Sequence, residues 1–330
     1  MEHYHPPVEN CYFCKSPELM PFAEAAYWGE FPLHFVRCRQ CGLIFANPMP
    51  DLPTVFAGNR ALNILHTSRG TFSQYRGGKE FTFELQKYKS KGLLLDVGCA
   101  EGFFLLGVQE NSQWQAEGVE IIESAVEFAR QTLGLKVHHG TLDSLQGQDR
   151  RYDFIRMNNV IEHVQDPVAF LRKAHQLLKP GGRVYCSTPN GFQDGYFLKT
   201  ANRRGIRFNL LENHFFYYPP RTLARIFRAC GFRVLRHYCE DLSHTLNDLG
   251  LLPWFKYPEE NQRYKLSDFA GRANVNFHIS EAEIRRYKDR PQLKPWKLRW
   301  RLWLKRVFTL KFPAFLPLGH QQHVFAEKCE

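Results

Sequence analysis

The 330-residue sequence has no run of about 18 apolar residues, so no bilayer-crossing helix is expected from it. Its opening residues, MEHYHPPVENCYFCK, contain no apolar stretch of signal-peptide length. It has no low-complexity tract and no internal repeat at solenoid periods, which argues against repeat arrays. With no secretion signal in view, the nine cysteines read as thiols of a reducing cytosol rather than as disulfides. The expectation is a cytoplasmic globular chain. At 44% hydrophobic content it is long enough for one sizeable core plus an accessory module. Negative charge is in short supply: 33 Asp and Glu face 44 Lys and Arg, for a net charge of +11. Such a balance suits nucleic acid, phosphorylated small molecules or an anionic membrane face, and composition does not choose among them.

What is present begins with Cys11-Tyr-Phe-Cys14 and Cys38-Arg-Gln-Cys41, two CxxC pairs separated by 23 residues. Each pair presents two thiolates from one tight turn, and two such turns complete a tetrahedral Zn²⁺ site. Four thiolates close the coordination shell, so the expected zinc is structural rather than catalytic. Phe31–Cys38 reads as a strand leading into the second turn.

Further along stands LLLDVGCAEGFF, Leu93–Phe104. A short apolar run, a glycine loop and a helical segment make the first unit of a parallel α/β sheet. The dinucleotide fingerprint needs a third glycine, and Phe103 occupies that position. The pattern that stands there is Asp96, Gly98, Ala100, Gly102. Later strands are expected at Trp114–Glu120, Lys136–His139, Tyr152–Met157 and Arg183–Ser187, with a helix from about Pro167 to Leu178 stopped by Lys179-Pro-Gly-Gly182. A carboxylate ending the first of these later strands, Glu120, can accept both hydroxyls of a ribose.

In their order and spacing, DVGCAEG, GVE, YDFIRMNNVIEH, LLKPGGRVYCSTPN and HFFYYPPRTLARIFRACGF resemble the class I S-adenosylmethionine (SAM)-dependent methyltransferases, over about residues 90–240. The cysteine-rich start, ending CRQCGLIFANPMP, resembles the zinc-ribbon subgroup of these enzymes, whose members often act on sugars or other biosynthetic intermediates. The Glu162-His163 pair also resembles the ubiquinone-pathway O-methyltransferases. The resemblance implies a Rossmann-like, doubly wound α/β fold. Its mostly parallel seven-stranded sheet ends in an antiparallel strand, here His323–Lys328. It further implies that Asp96 and the backbone of Gly98, Cys99, Ala100 and Gly102 hold the methionine end of SAM. Glu120 would hold the ribose, Thr141, Leu142 or Asp143 would border the adenine, and Asn158 would lie along the methionine arm. The implied domains are a ribbon at 1–50, a helical linker or lid at 51–90, and a methyltransferase domain at 91–330. The last carries an insertion at about 240–320.

Methyl transfer to a hydroxyl needs an acceptor placed in line and a base for its proton. Two histidines are candidates. His163 follows the fourth sheet strand on the ligand side; the alternative is a hydrogen-bonded structural histidine at a helix start. His214, in ENHFFYY, can line an acceptor pocket or belong to an aromatic packing cluster. Tyr75 is placed by position alone in a lid over the cofactor. The segment Met157-Asn-Asn-Val160 lacks the N/D-P-P-Y/F motif of exocyclic-amine methylases. Finally, KPWKLRWRLWLKRVFTLKF, Lys294–Phe312, combines an apolar tryptophan face with seven basic residues and no acidic ones between Lys294 and Lys311. It reads either as a packed helix with solvated cations or as an interfacial helix at the inner face of a membrane.

The expected function is SAM-dependent methyl transfer to a hydroxyl, or a carbon, of a small acceptor: a sugar, nucleotide sugar or lipid-linked intermediate. An RNA methyltransferase using ribbon and basic surface, and a SAM-binding module without turnover, are the competing readings.

Overall fold

The structure is a computed structural model. It describes residues 4–27, 31–51, 68–203 without 146, 148 and 150, then 205, 208–210, 214–241, and 311–329 without 315 and 317. Most of the basic segment Lys294–Phe312, residues 52–67 of the expected linker, and Glu212 and Asn213 lie outside these residues.

Three strands open the chain: β1 (Leu19–Tyr27), β2 (Phe31–Cys38) and β3 (Ile44–Ala46). Helix α1 (Ser68–Gln86) follows. The α/β alternation then begins with β4 (Leu93–Val97), α2 (Phe103–Glu110), β5 (Gln115–Glu120), α3 (Glu123–Gln131), β6 (Val137–His139) and β7 (Tyr152–Asn158). It continues with α4 (Pro167–Leu177), β8 (Leu178–Pro189), α5 (Gly191–Arg203), and the short β9 (Phe208–Leu210) and β10 (Phe216–Tyr217). Helix α6 (Pro220–Ala229), β11 (Phe232–Glu240), β12 (Phe312–Pro313) and β13 (Gln321–Lys328) complete the described elements.

Among the described residues the main sheet has the order β12-β11-β13-β8-β7-β4-β5-β6. Strands β4 to β8 pair in parallel, and β13 is antiparallel to both β8 and β11. This is the expected Rossmann-like sheet with its antiparallel last strand; the two-residue β12 adds an eighth strand at one edge. Strand β8 starts earlier than expected. Leu178 pairs with Tyr152 and Arg183 with Phe154, so Lys179–Gly182 bulge out inside the strand instead of preceding it.

Alternation along the strands sorts residues between two faces. Leu95, Val97, Ile155 and Met157 join the core beneath α4 and α6. Leu94 and Phe154 face the other way, toward Phe104 and Val108 of α2. Helix α1 closes on α2 through two glycines. A Cβ on Gly78 would lie 2.1 Å from the Phe104 carbonyl oxygen, and one on Gly107 2.1 Å from that of Tyr75. Only glycine allows that backbone contact.

A second sheet has the order β10-β3-β2-β1-β9. Its central strands come from the cysteine-bearing N-terminus, and its edges come from residues 208–217, far along the chain. The cysteines Cys11, Cys38 and Cys41 share one buried cluster with Phe216, Leu223 and the β7 residues Ile155 and Met157. Thr222 Oγ1 donates to the Cys41 carbonyl oxygen at 2.5 Å.

Candidate functional site

The carboxyl ends of β4, β5 and β7 meet at the glycine loop, the place where open α/β sheets receive ligands. Gly98 has φ +68°, and a Cβ there would sit 2.8 Å from Val160 Cγ2. The loop thus lies tight against the turn after β7. Ala100 also has positive φ, at 48°, so the small residue in the middle position carries a conformation costly for an L-residue.

Glu120 holds this loop in shape. Its Oε2 accepts from Ala100 N at 2.9 Å, and its Oε1 accepts from Ile121 N at 2.8 Å and Ile122 N at 3.1 Å. Burial pushes its carboxyl up in pKa, and these three N–H donors oppose that. A carboxylate offers about four acceptor positions, so room remains for a ribose hydroxyl.

Two cavities lie on either side of the loop and share Gly98 and Ala100 in their walls. The larger, about 570 Å³, is lined among others by Glu120, Ile121, Thr141, Leu142, Asp143 and His163. The smaller, about 280 Å³, is lined by Asp96, Cys99, Asn158 and Arg156, and by Ser73, Gln74 and Gly77 of α1. Asp96 is buried, and Arg156 Nη1 donates to its Oδ1 at 2.6 Å. Burial pushes the Asp96 carboxyl up and Arg156 counteracts this. Burial, with the negative charge of Asp96 and Glu120, raises the Cys99 thiol, so it stays protonated and packs as an apolar group. Asn158 Oδ1 accepts from Ser187 Oγ at 2.7 Å.

His163 closes a one-turn helix, Ile161–His163, at the rim of the larger cavity. The His214 ring lies 5.0 Å from it, centroid to centroid. The intervening chain holds the two together: Phe215 N donates to the Glu162 carbonyl oxygen at 2.9 Å, and Tyr218 Oη donates to that of Ile161 at 2.8 Å. Glu162 is fully buried; its Oε2 accepts from Thr188 Oγ1 at 2.9 Å and its Oε1 lies 4.0 Å from His163 Nε2. Ligand-type atoms of Glu162, His163 and His214 lie within 4.8 Å of one another.

The four cysteines converge as their spacing predicts. All four sulfurs lie within 4.8 Å of one another, with Cys11 Sγ to Cys41 Sγ and Cys14 Sγ to Cys38 Sγ each 3.5 Å. A tetrahedron with Zn–S bonds of ~2.3 Å needs edges of about 3.8 Å, so this set fits a structural zinc.

The residues expected at the cofactor site therefore all sit at the glycine loop or the two cavities beside it. Tyr75 does not join them: its hydroxyl donates to Glu110 Oε2 at 2.5 Å at the far end of α2. The same helix supplies Ser73, Gln74 and Gly77 instead. Sequence reasoning missed these three and Arg156. A charged residue inside an apolar strand was the available signal for Arg156.

A parallel sheet with an antiparallel end strand, and a split cavity beneath a glycine loop, define a Rossmann-like nucleotide-cofactor fold of the methyltransferase type. The family model described as a methyltransferase domain matches residues 70–237, and the chain belongs to that family. It is 34% identical over 102 residues to a ubiquinone biosynthesis O-methyltransferase of Ruegeria pomeroyi, covering 29% of this chain and 41% of the relative. It is 30% identical over 151 residues to the enzyme of the same name from Nitrosospira multiformis, covering 43% and 62%. The match thus spans less than two thirds of either relative's length. A solved S-adenosylmethionine-dependent methyltransferase from Mesorhizobium loti is 15% identical, with a TM-score of 0.44 over 77% of this chain and 100% of that one. No described helix is long and apolar enough to cross a membrane.

Proposed function

We propose that this chain transfers a methyl group from SAM to a hydroxyl of a small ring-bearing intermediate. One observation carries the reading. The glycine loop divides two cavities, with Asp96 and Arg156 in one and Glu120 with Thr141–Asp143 at the other. That division suits a nucleoside joined to an amino acid. A pyrophosphate would meet the Asp96 and Glu120 carboxylates at close range. When bound, the cofactor supplies an electrophilic methyl group on a sulfonium.

The chain's own part is placement and proton removal. Glu120 would take a ribose hydroxyl, with Ile121, 37% exposed, offering an apolar surface beside it. Asp96, Asn158 and the loop backbone would orient the amino-acid end. His163 Nε2 would take the acceptor proton, with His214 fixing the acceptor's ring against the rim. A histidine base suits a phenol far better than a sugar alcohol, because the phenolic proton is the more acidic of the two. The names of the two curated relatives also support O-transfer to a quinone-like ring. No described residue of the cavities selects a sugar.

The test is labelled methyl transfer from SAM into a cell extract, partitioned between butanol and water, with wild type and His163→Ala. Label in butanol that depends on His163 is expected. Label confined to water would overturn the apolar-ring acceptor. No transfer to any fraction would overturn the methyltransferase reading.

A further inference from the structure

Arg156 departs from the pattern of its own strand. Strands buried on both faces of a parallel sheet are near-continuous apolar runs. Phe154, Ile155 and Met157 obey that rule, and all three are buried. Arg156 places a guanidinium among them, side chain 14% exposed, beside the 1% exposed Asp96. Its guanidinium carbon also lies 3.6 Å from the centroid of the Phe104 ring. The group is held on two sides.

A purely structural ion pair would end there, and such pairs contribute little net stability over an apolar pair of equal volume. Two observations point beyond it. Oδ2 of Asp96 is buried and has no hydrogen-bond partner among the described residues. Both side chains also wall the 280 Å³ cavity instead of being packed over. A buried carboxylate oxygen without a partner is costly unless something else satisfies it. The Asp96 bond engages one nitrogen of Arg156, and a guanidinium fork carries five donors. The cavity therefore presents one free anionic acceptor next to cationic donors, with no net charge. That is the complement of a zwitterion.

We infer that Arg156 is a cofactor-recognition residue: its guanidinium takes the α-carboxylate of the amino-acid end, while the free oxygen of Asp96 takes the α-ammonium. This rests on the SAM reading above. Ser73 and Gln74, brought in by the α1–α2 crossing, close the same end.

The test compares two ligands by calorimetry. S-adenosylhomocysteine carries the amino-acid end; 5′-methylthioadenosine has the same nucleoside and thioether without it. Arg156→Met should weaken S-adenosylhomocysteine by roughly 10–100-fold, the loss of a charge-assisted bond, and leave 5′-methylthioadenosine unchanged. Arg156→Lys, which keeps charge but not the fork, should fall between. Retained 5′-methylthioadenosine binding also shows that the variant is folded. If Arg156→Met does not fold, the Lys variant decides by the same comparison. Equal loss of both ligands, or loss of neither, overturns the assignment. Failure of the wild-type protein to bind either ligand overturns the SAM reading itself.

Discussion

Glu120 is a demanding test of the site, because it serves the fold and the proposed ligand at once. Replacing it with alanine strands three backbone N–H groups, those of Ala100, Ile121 and Ile122. Each bond to a charged acceptor is worth ~1.5–3 kcal/mol, and part is recovered where water enters the vacated space. A net loss of about 2–4 kcal/mol of stability is expected. Glutamine distinguishes the two oxygens. Its carbonyl can still serve Ile121 and Ile122, while its NH₂ would face the Ala100 N–H, donor against donor. Glu120→Gln should therefore cost less, about 1–2 kcal/mol, with the loss concentrated at the loop. The assay is urea unfolding alongside calorimetric binding of S-adenosylhomocysteine. Both variants should bind more weakly, alanine more than glutamine. Wild-type stability in Glu120→Ala would refute the loop-holding role, and wild-type binding would remove the carboxylate from the ribose site.

Further outcomes follow from other parts of the molecule. His163→Ala should lower turnover by about 10²–10⁴-fold with S-adenosylhomocysteine affinity preserved; steady-state kinetics against calorimetry separates the two, and unchanged turnover would leave His163 a structural residue. Metal analysis should find one zinc per chain. Cys38→Ser should release it and increase amide exchange in residues 214–218, because β10 pairs with β3 beside the cysteines; protection of that segment without zinc would contradict the coupling. Burial pushes His237 down to about 4, so the folded state binds its proton later than the unfolded chain, which takes it near ~6.5. Stability should fall as pH drops from ~6.5 to about 4, and His237→Gln should flatten that part of the profile measured by thermal unfolding.

Much of this molecule was legible along the chain because the governing distances are local. Two residues between cysteines fix a thiolate turn, and convergence of all four sulfurs needed only that the turns meet. The run Leu93–Val97 followed by glycines announces a strand and a ligand loop, since only residues tolerant of positive φ allow that turn. Glu120 was marked by its place at a strand end, and the family resemblance marked Asp96 and Asn158. By itself, then, the sequence determined the meeting of the four cysteines, the succession of strands and helices, and the position of the glycine loop.

Tertiary structure alone decided three things, each through contacts between residues far apart in the chain. The cysteine-bearing strands do not end as a free module: residues 208–210 and 216–217 complete their sheet. Tyr75 and Gln74 are adjacent in sequence, yet the crossing at Gly78 and Gly107 turns one toward Glu110 and the other into the cavity. Parallel pairing set Arg156 opposite Asp96. The physical reason is common to all three. Local propensity sets which way a side chain points from its own strand or helix, but a partner 60 residues away, such as Asp96 for Arg156, is chosen only when the sheet closes.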